Sequence, residues 1–316
     1  MPGRNVDVKT LIVVNPTSAG GRTATRWPRL QQALDAMRVV YDVHFTVAPG
    51  DATDVTRRAL AAGYQRVIAA GGDGTLNEVV NGFFDADGTA VRPAAVVGML
   101  PSGTGCDFRR TAGIPTDPAQ LAALVAANPT RTVDLGRIVY DDPATPARMF
   151  INIAACGVGG EVAARVNRNT SKGGGMRGTA VFLGISLSTL LSFGGRRVRL
   201  TVDGVAREHM VQNVVIANGR CFGGGMRVAP AARLDDGRFD VIVLPLLGRA
   251  HSIALLPSLY RGAHVRRADV MVSRAASVRV EPLDDQSLLF DVEGEQVGTA
   301  PATLTCLHNA VTICAS

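Results

Sequence analysis

The run Val67-Ile68-Ala69-Ala70-Gly71-Gly72-Asp73-Gly74-Thr75-Leu76-Asn77-Glu78-Val79-Val80 constrains this chain more than any other. An apolar stretch of strand length enters a glycine loop and leaves it as a helical pattern. Glycines, lacking Cβ, let backbone N–H groups converge on an anion, and the N-terminus of the following helix adds its positive dipole end to the same spot. That order makes a phosphate seat. Asp73 alters its character, because a carboxylate beside phosphate repels it unless a divalent cation or a transferable proton lies between them. The loop therefore points to metal-assisted phosphoryl chemistry. A lone Gly-Gly-x-Gly is compatible with an ordinary turn; the aspartate, threonine and asparagine in place argue for more.

Strand-like segments at 10–15, 39–46, 66–70 and 94–100 alternate with helical patterns at 27–37, 54–62 and after the glycine loop. Such alternation predicts a parallel sheet with flanking helices and ligands at the carboxyl ends of the strands. Three loops rich in Gly, Ser and Thr fall at such ends. They are Asn15-Pro16-Thr17-Ser18-Ala19-Gly20-Gly21-Arg22, the glycine loop, and Leu100-Pro101-Ser102-Gly103-Thr104-Gly105-Cys106-Asp107-Phe108. From about residue 137 the pattern shifts to short alternating strands at 150–154, 197–202, 205–209, 212–217, 238–244, 277–281, 288–292 and 303–307, with Asp203-Gly204 as a hairpin turn. Helical interruptions lie near 161–193 and 251–262. The expected fold is a Rossmann-like α/β nucleotide-binding domain over residues 1–136, followed by an antiparallel β-sandwich or barrel domain with inserted helices over 137–316.

Composition excludes several classes. With 47% hydrophobic and 19% charged residues the chain is no disordered segment. Its formal charge of +6 comes from scattered arginines without aromatic interleaving, which argues against nucleic acid; a basic face suits ATP or an anionic membrane surface equally. Five cysteines form no C-x-x-C pair and suggest reduced thiols in a cytoplasm. The apolar run Leu11-Ile12-Val13-Val14 is too short for a signal peptide. The uncharged segment 179–193 is well short of the roughly 20 residues a membrane span needs. Flanked by Arg168, Lys172, Arg177 and Arg196-Arg197, it reads either as core cover or as an apolar face resting on a bilayer. The histidines at 44, 209, 251, 264 and 308 lack metal-ligand spacing and read as surface or strand residues.

Asn15-Pro16-Thr17-Ser18, Gly71-Gly72-Asp73-Gly74-Thr75-Leu76-Asn77-Glu78, Pro-x-Gly-Thr-x-x-Asp-Phe at 101–108 and Gly294-Glu295 together resemble the diacylglycerol kinase catalytic-domain family. That family includes bacterial diacylglycerol and related lipid kinases, along with sphingosine and ceramide kinases, and is more distantly similar to NAD kinases. The resemblance implies that Asn15, Pro16, Thr17, Ser18, Ala19 and Thr46 line ATP. It implies that Gly72, Asp73, Gly74, Thr75, Leu76, Asn77 and Glu78 hold its phosphates, with Thr104 completing the lining. Asp73, Asp107 and Asp134 match acidic positions that organise magnesium through water. Glu295 matches the proton acceptor, a role that the sphingosine-kinase branch gives to the position of Asp73. Asp236, with the carbonyls of Arg233 and Arg238, matches a turn that binds a second, structural magnesium in bacterial members; from the residues alone, a bare Asp-Gly turn stands beside it.

Two departures stand out: Cys106 where relatives usually carry Asn, and Glu293 where they usually read Asp. The reading that follows is an ATP-dependent lipid kinase acting on a primary hydroxyl, with diacylglycerol as the leading acceptor. It would be cytoplasmic, with transient contact at the inner membrane face, no nucleic-acid partner, and a homodimer left open. Kinases of NAD or another small alcohol, and a nucleotide- or lipid-binding protein that has lost catalysis, are the alternatives.

Overall fold

The computed structural model describes residues 8–102, 105–171 and 179–315, with the backbone alone at 169–171 and 179–183. Two compact units result. One holds the described chain through Val133 together with Asn309 onward, and the other runs from Asp134 to His308. The linear division expected at 136/137 thus falls three residues earlier, and the last residues return to the first unit.

In the first unit the order is β1 (Thr10–Val14), α1 (Arg22–Ala36), β2 (Asp42–Phe45), α2 (Asp51–Ala61), β3 (Arg66–Gly71), α3 (Asp73–Gly82), β4 (Val96–Pro101), α4 (Asp107–Ala112) and α5 (Pro118–Ala127). The strands pair in parallel in the order β2-β1-β3-β4, and Thr312–Ile313 from the end of the chain add a further parallel pairing beside β4. Every residue of β1 and β3 is buried, as parallel strands covered on both faces require. Helix α1 packs on α5 and α2 on α3. The second pair is close, since a Cβ on Gly82 would stand 2.6 Å from the Thr53 carbonyl.

The second unit continues through β5 (Thr130–Tyr140), which crosses the boundary, β6 (Arg148–Phe150), β7 (Ile153–Gly157), α6 (Val158–Ser171), α7 (Thr179–Ser192), β8 (Arg196–Val202), β9 (Val205–Ala217), β10 (Phe239–Pro245) and α8 (Arg249–Arg261). It ends in β11 (Met271–Ala275), β12 (Ser277–Pro282), β13 (Leu289–Val292), β14 (Glu295–Thr299) and β15 (Ala302–Cys314), the last returning to the first unit. The strand pairings described within this unit are all antiparallel. Alternation divides its core cleanly. Ala154, Cys156, Val214, Ile216, Val241 and Val243 face the sandwich interior. Their neighbours Ile153, Ala155, Val215, Ala217, Ile242 and Leu244 face a second cluster with Val228, Ala229 and Leu255.

Three differences from the sequence pattern have physical causes. The predicted strand 150–154 is broken into β6 and β7, because the N–H groups of Ile151 and Asn152 turn to a carboxylate, Glu293. The predicted strands 205–209 and 212–217 are one, β9, whose first half pairs with β8 and whose second half lies between β7 and β10. Strand β14 is half-buried throughout and β11 has one buried residue, so both lack the apolar alternation that reveals the others.

Candidate active site

Strands β1 and β3 are neighbours whose chain continuations diverge, β1 toward β2 and β3 toward β4. A crevice therefore opens beyond their carboxyl ends. Asn15, the first residue after β1, organises it. Its Oδ1 accepts the Thr17 N–H at 3.1 Å, the Ser18 N–H at 3.1 Å and the Thr17 hydroxyl at 2.9 Å, while its Nδ2 donates to Thr75 Oγ1 at 3.1 Å. Pro16 opens the turn, and Ala19, Gly20 and Gly21 carry it out in the left-handed region.

The glycine loop is set by space. A Cβ on Gly71 would lie 2.5 Å from Thr75 Oγ1, so the first turn of α3 folds tightly over the end of β3. At Gly72, the N-cap of α3, a Cβ would meet only Ser18 Oγ at 3.4 Å. No side chain caps α3 there. Its first N–H groups, from Gly74 and Thr75 onward, thus stand next to the Asn15 loop with an anion-binding dipole behind them. Leu76 and Asn77 are buried beneath the turn.

Asp73 sits at the head of α3 and accepts the N–H of Asp107 at 2.7 Å and of Phe108 at 3.2 Å, capping α4 from 34 residues away. Burial raises its pKa, against these two N–H donors and the arginines at 109 and 110. Asp107 in turn pairs with Arg110 at 3.3 Å. The Cys106 thiol donates to the Gly71 carbonyl at 3.6 Å. Glu78 accepts the Ala52 N–H at 3.2 Å at the start of α2. Thr46, half-buried, donates its N–H to the Val14 carbonyl at 2.9 Å, which holds the end of β2 beside β1. Thr104 lies outside the described residues, as do Lys172 and Arg177.

In the second unit, Glu295 opens β14 and pairs with Arg148 of β6 at 2.6 Å. The turn before it is Glu293-Gly294, both left-handed, at φ 58 and 87. Glu293 holds the turn down: its Oε1 accepts the Ile151 N–H at 2.8 Å and the Asn152 N–H at 2.7 Å. Asp291 accepts the Gly294 N–H at 2.8 Å, and burial, with Glu295 close by, pushes its pKa up to about 7.

The other acidic candidates of this unit are engaged. Asp134 is fully buried and accepts the Gly237 N–H at 2.6 Å and His308 Nδ1 at 2.8 Å. Asp236 is closed by ion pairs to Arg274 and, at 3.9 Å, Arg233, and it accepts the Arg238 N–H at 3.2 Å. A divalent cation seated on the Asp236 turn would sit against two guanidinium groups, so these residues do not fit the structural magnesium that the resemblance implies without displacement of Arg274. Among the described residues no cluster of three His, Cys, Asp or Glu side chains is placed to hold a metal. Asp73 fits a water-mediated cation better, since two N–H bonds leave lone pairs on both carboxylate oxygens.

Residues 9–138 match the family described as the diacylglycerol kinase catalytic domain, and 153–315 match the YegS C-terminal NAD kinase beta sandwich-like domain. A probable lipid kinase YegS-like protein of Pseudomonas fluorescens is 32% identical over 274 residues, covering 83% of this chain and 86% of the relative. The chain belongs to the diacylglycerol kinase catalytic-domain family of lipid kinases. A diacylglycerol kinase of Bacillus subtilis is 29% identical over 301 residues, 95% of this chain and 94% of that one. A crystal structure of a diacylglycerol kinase from Bacillus anthracis str. Sterne shares the fold, with a TM-score of 0.72 at 23% identity over 98% of this chain and 97% of that one.

Within this lipid kinase, Asn15 and Thr75 are brought into direct contact, as are the Asp73 carboxylate and the backbone at Asp107. Sequence reasoning missed Arg148, Asp291 and the His308–Asp134 pair. Arg148 meets Glu295 across 147 residues. A single arginine between strands gives no sign of such a partner.

Proposed function

We propose that this protein transfers the γ-phosphate of ATP to a primary hydroxyl of a lipid, with diacylglycerol as acceptor and phosphatidic acid as product. The observation that carries the reading is the junction of the Asn15 loop with the glycine loop, where Asn15 binds Thr75 and two glycines leave bare backbone at an uncapped helix start, a setting suited to a phosphate. The names of the relatives supply the acceptor class.

In the proposed reaction the acceptor oxygen bonds to the γ-phosphorus as the bond to the bridging oxygen breaks, and ADP leaves. The hydroxyl proton passes to Glu295, which Arg148 holds in one orientation. Magnesium, entering with ATP, would neutralise charge on the phosphates near Asp73 and Asp107. Asn15, Pro16, Thr17, Ser18, Ala19 and Thr46 would contact the nucleotide. No helix among the described residues is long and apolar enough to cross a membrane, and the protein would reach its acceptor by reversible contact with the membrane that holds it.

Transfer of labelled γ-phosphate to a lipid extract tests this directly. A labelled chloroform-soluble product is expected; a labelled water-soluble product, or ATP binding without transfer, would overturn it. Glu295→Gln should lower kcat by about 100-fold or more with nucleotide affinity retained. Wild-type turnover by that variant would remove Glu295 as the base.

A further inference from the structure

Helix α8 presents an unusual outer face. Ile253 and Tyr260 are 44% and 47% exposed, with exposed Pro257 between them. Spaced four and three residues apart, they form one stripe about 10 Å long. Arg249 and Arg261 mark its two ends and are exposed. The stretch from Leu246 to Arg267 contains four arginines, two histidines and no Asp or Glu. The nearest acid in sequence, Asp269, is bound to Arg267.

The cations do not serve the fold in an evident way. Arg249, Arg261 and Arg266 make no ion pair or side-chain hydrogen bond among the described residues, and neither does Tyr260. Exposed Arg227 is equally unengaged through its side chain, and its backbone N–H reaches the Leu259 carbonyl, so its loop joins the same end of the helix. Arg261, in the last turn of α8, complements the dipole, but Arg249 stands at the opposite, positive end, where an acidic side chain would be favoured. Other exposed arginines of this unit do have acidic partners, as Arg199 with Glu208 and Arg279 with Asp141. Helix α7, which packs on α8, adds exposed Leu187.

An apolar stripe with cations at its ends and a tyrosine along it has the chemistry of a helix lying in a membrane interface. The aliphatic and aromatic groups enter the headgroup boundary, and arginine stems let the guanidinium groups reach phosphate. We propose that the outer face of α8 docks this protein on an anionic phospholipid surface. This deepens the lipid-kinase reading by naming the surface, and it rests on that reading only for its purpose.

The test uses the full chain without ATP or diacylglycerol, in sedimentation with vesicles of three parts phosphatidylcholine to one part phosphatidylglycerol and with vesicles of phosphatidylcholine alone. Binding to the anionic vesicles is expected, weakening as salt rises. Arg249→Glu with Arg261→Glu should lower the partition coefficient by roughly tenfold or more, and Ile253→Asp with Tyr260→Asp should abolish binding. All four side chains are exposed, so circular dichroism and thermal midpoints should match wild type and exclude misfolding. Equal binding to both vesicle types, or wild-type binding by both variants, would overturn the proposal. So would vesicle-independent self-association that Ile253→Asp with Tyr260→Asp abolishes, because the face would then be a contact between copies. A protein that binds vesicles but transfers no phosphate would lose the kinase reading and keep this one; one that transfers phosphate without binding them would do the reverse.

Discussion

The glycine loop at 71–77 and the turn at 293–295 are built on opposite principles. The loop is defined by the absence of side chains: Gly71 has no room for a Cβ, and its neighbours in space are neighbours in sequence. The turn is defined by side chains that reach distant backbone: Glu293 bonds N–H groups 141 and 142 residues away. A short motif can specify the first kind of site, whereas the second kind needs the whole second unit folded before its geometry exists.

Gly71→Ala should have the largest effect on phosphate transfer. The added methyl would lie 2.8 Å from Thr75 Cβ, and relief requires moving the turn that Asn15 holds. A loss of about 1–3 kcal/mol in stability and of nearly all phosphate transfer is expected, by thermal unfolding and labelled-phosphate assay. Gly72→Ala is the matching control, since its φ of -98 suits any residue and only Ser18 Oγ is near. It should fold normally and lose nucleotide affinity. If the two alanines behave alike, space does not define the loop.

Glu293→Ala tests the turn. It strips the acceptor from two N–H groups on buried residues, at about 1–3 kcal/mol each, so a loss of roughly 2–6 kcal/mol is expected. Because Glu293 places Glu295 without itself touching the nucleotide in the proposed reaction, kcat should fall while KM for ATP holds. Glu293→Gln retains an acceptor oxygen and should restore most of both. A lowered thermal midpoint with unchanged kcat would reduce Glu293 to a structural tie.

This contrast also explains what was legible beforehand. Strands β1 and β3 and the parallel character of the first unit's sheet, though not its strand order, could be read from Leu11-Ile12-Val13-Val14 and Val67-Ile68-Ala69-Ala70 and the alternation around them, because fully buried strands write continuous apolar runs. The loop residues from Asn15 to Ser18 could be placed for the same reason. The break at Ile151-Asn152 could not, since both residues look like strand and only the distant carboxylate of Glu293 turns their N–H groups away from a ladder. Likewise the Asp236-Gly237 turn is visible as a turn, but nothing local announces that Arg274 occupies its carboxylate.

Asp73 belongs to both kinds of construction, which makes its two substitutions informative. Asp73→Ala removes the cap of α4 and should cost about 1–2 kcal/mol along with transfer. Asp73→Asn keeps an acceptor oxygen for one of the two N–H groups, so most of the stability should return while transfer stays low if the negative charge serves the cation. Full activity in Asp73→Asn would leave the residue with its capping role alone.

The smallest effect is expected at Asp291 and is visible mainly through pH. Its folded pKa is raised to about 7 by burial, with Glu295 contributing and the Gly294 N–H opposing, whereas an unfolded chain returns it to about 4. The folded state therefore binds a proton more tightly than the unfolded one. Its stabilising contribution is complete below the unfolded value and is lost as pH rises through about 7. Asp291→Asn keeps an oxygen for the Gly294 N–H but cannot ionise, so the variant should gain on wild type steadily between about pH 4 and 7 and hold a constant lead above. Parallel stability curves across that range would show that Asp291 ionises as easily in the fold as in water. The turn beside Glu295 would then be wetter than its side-chain construction implies.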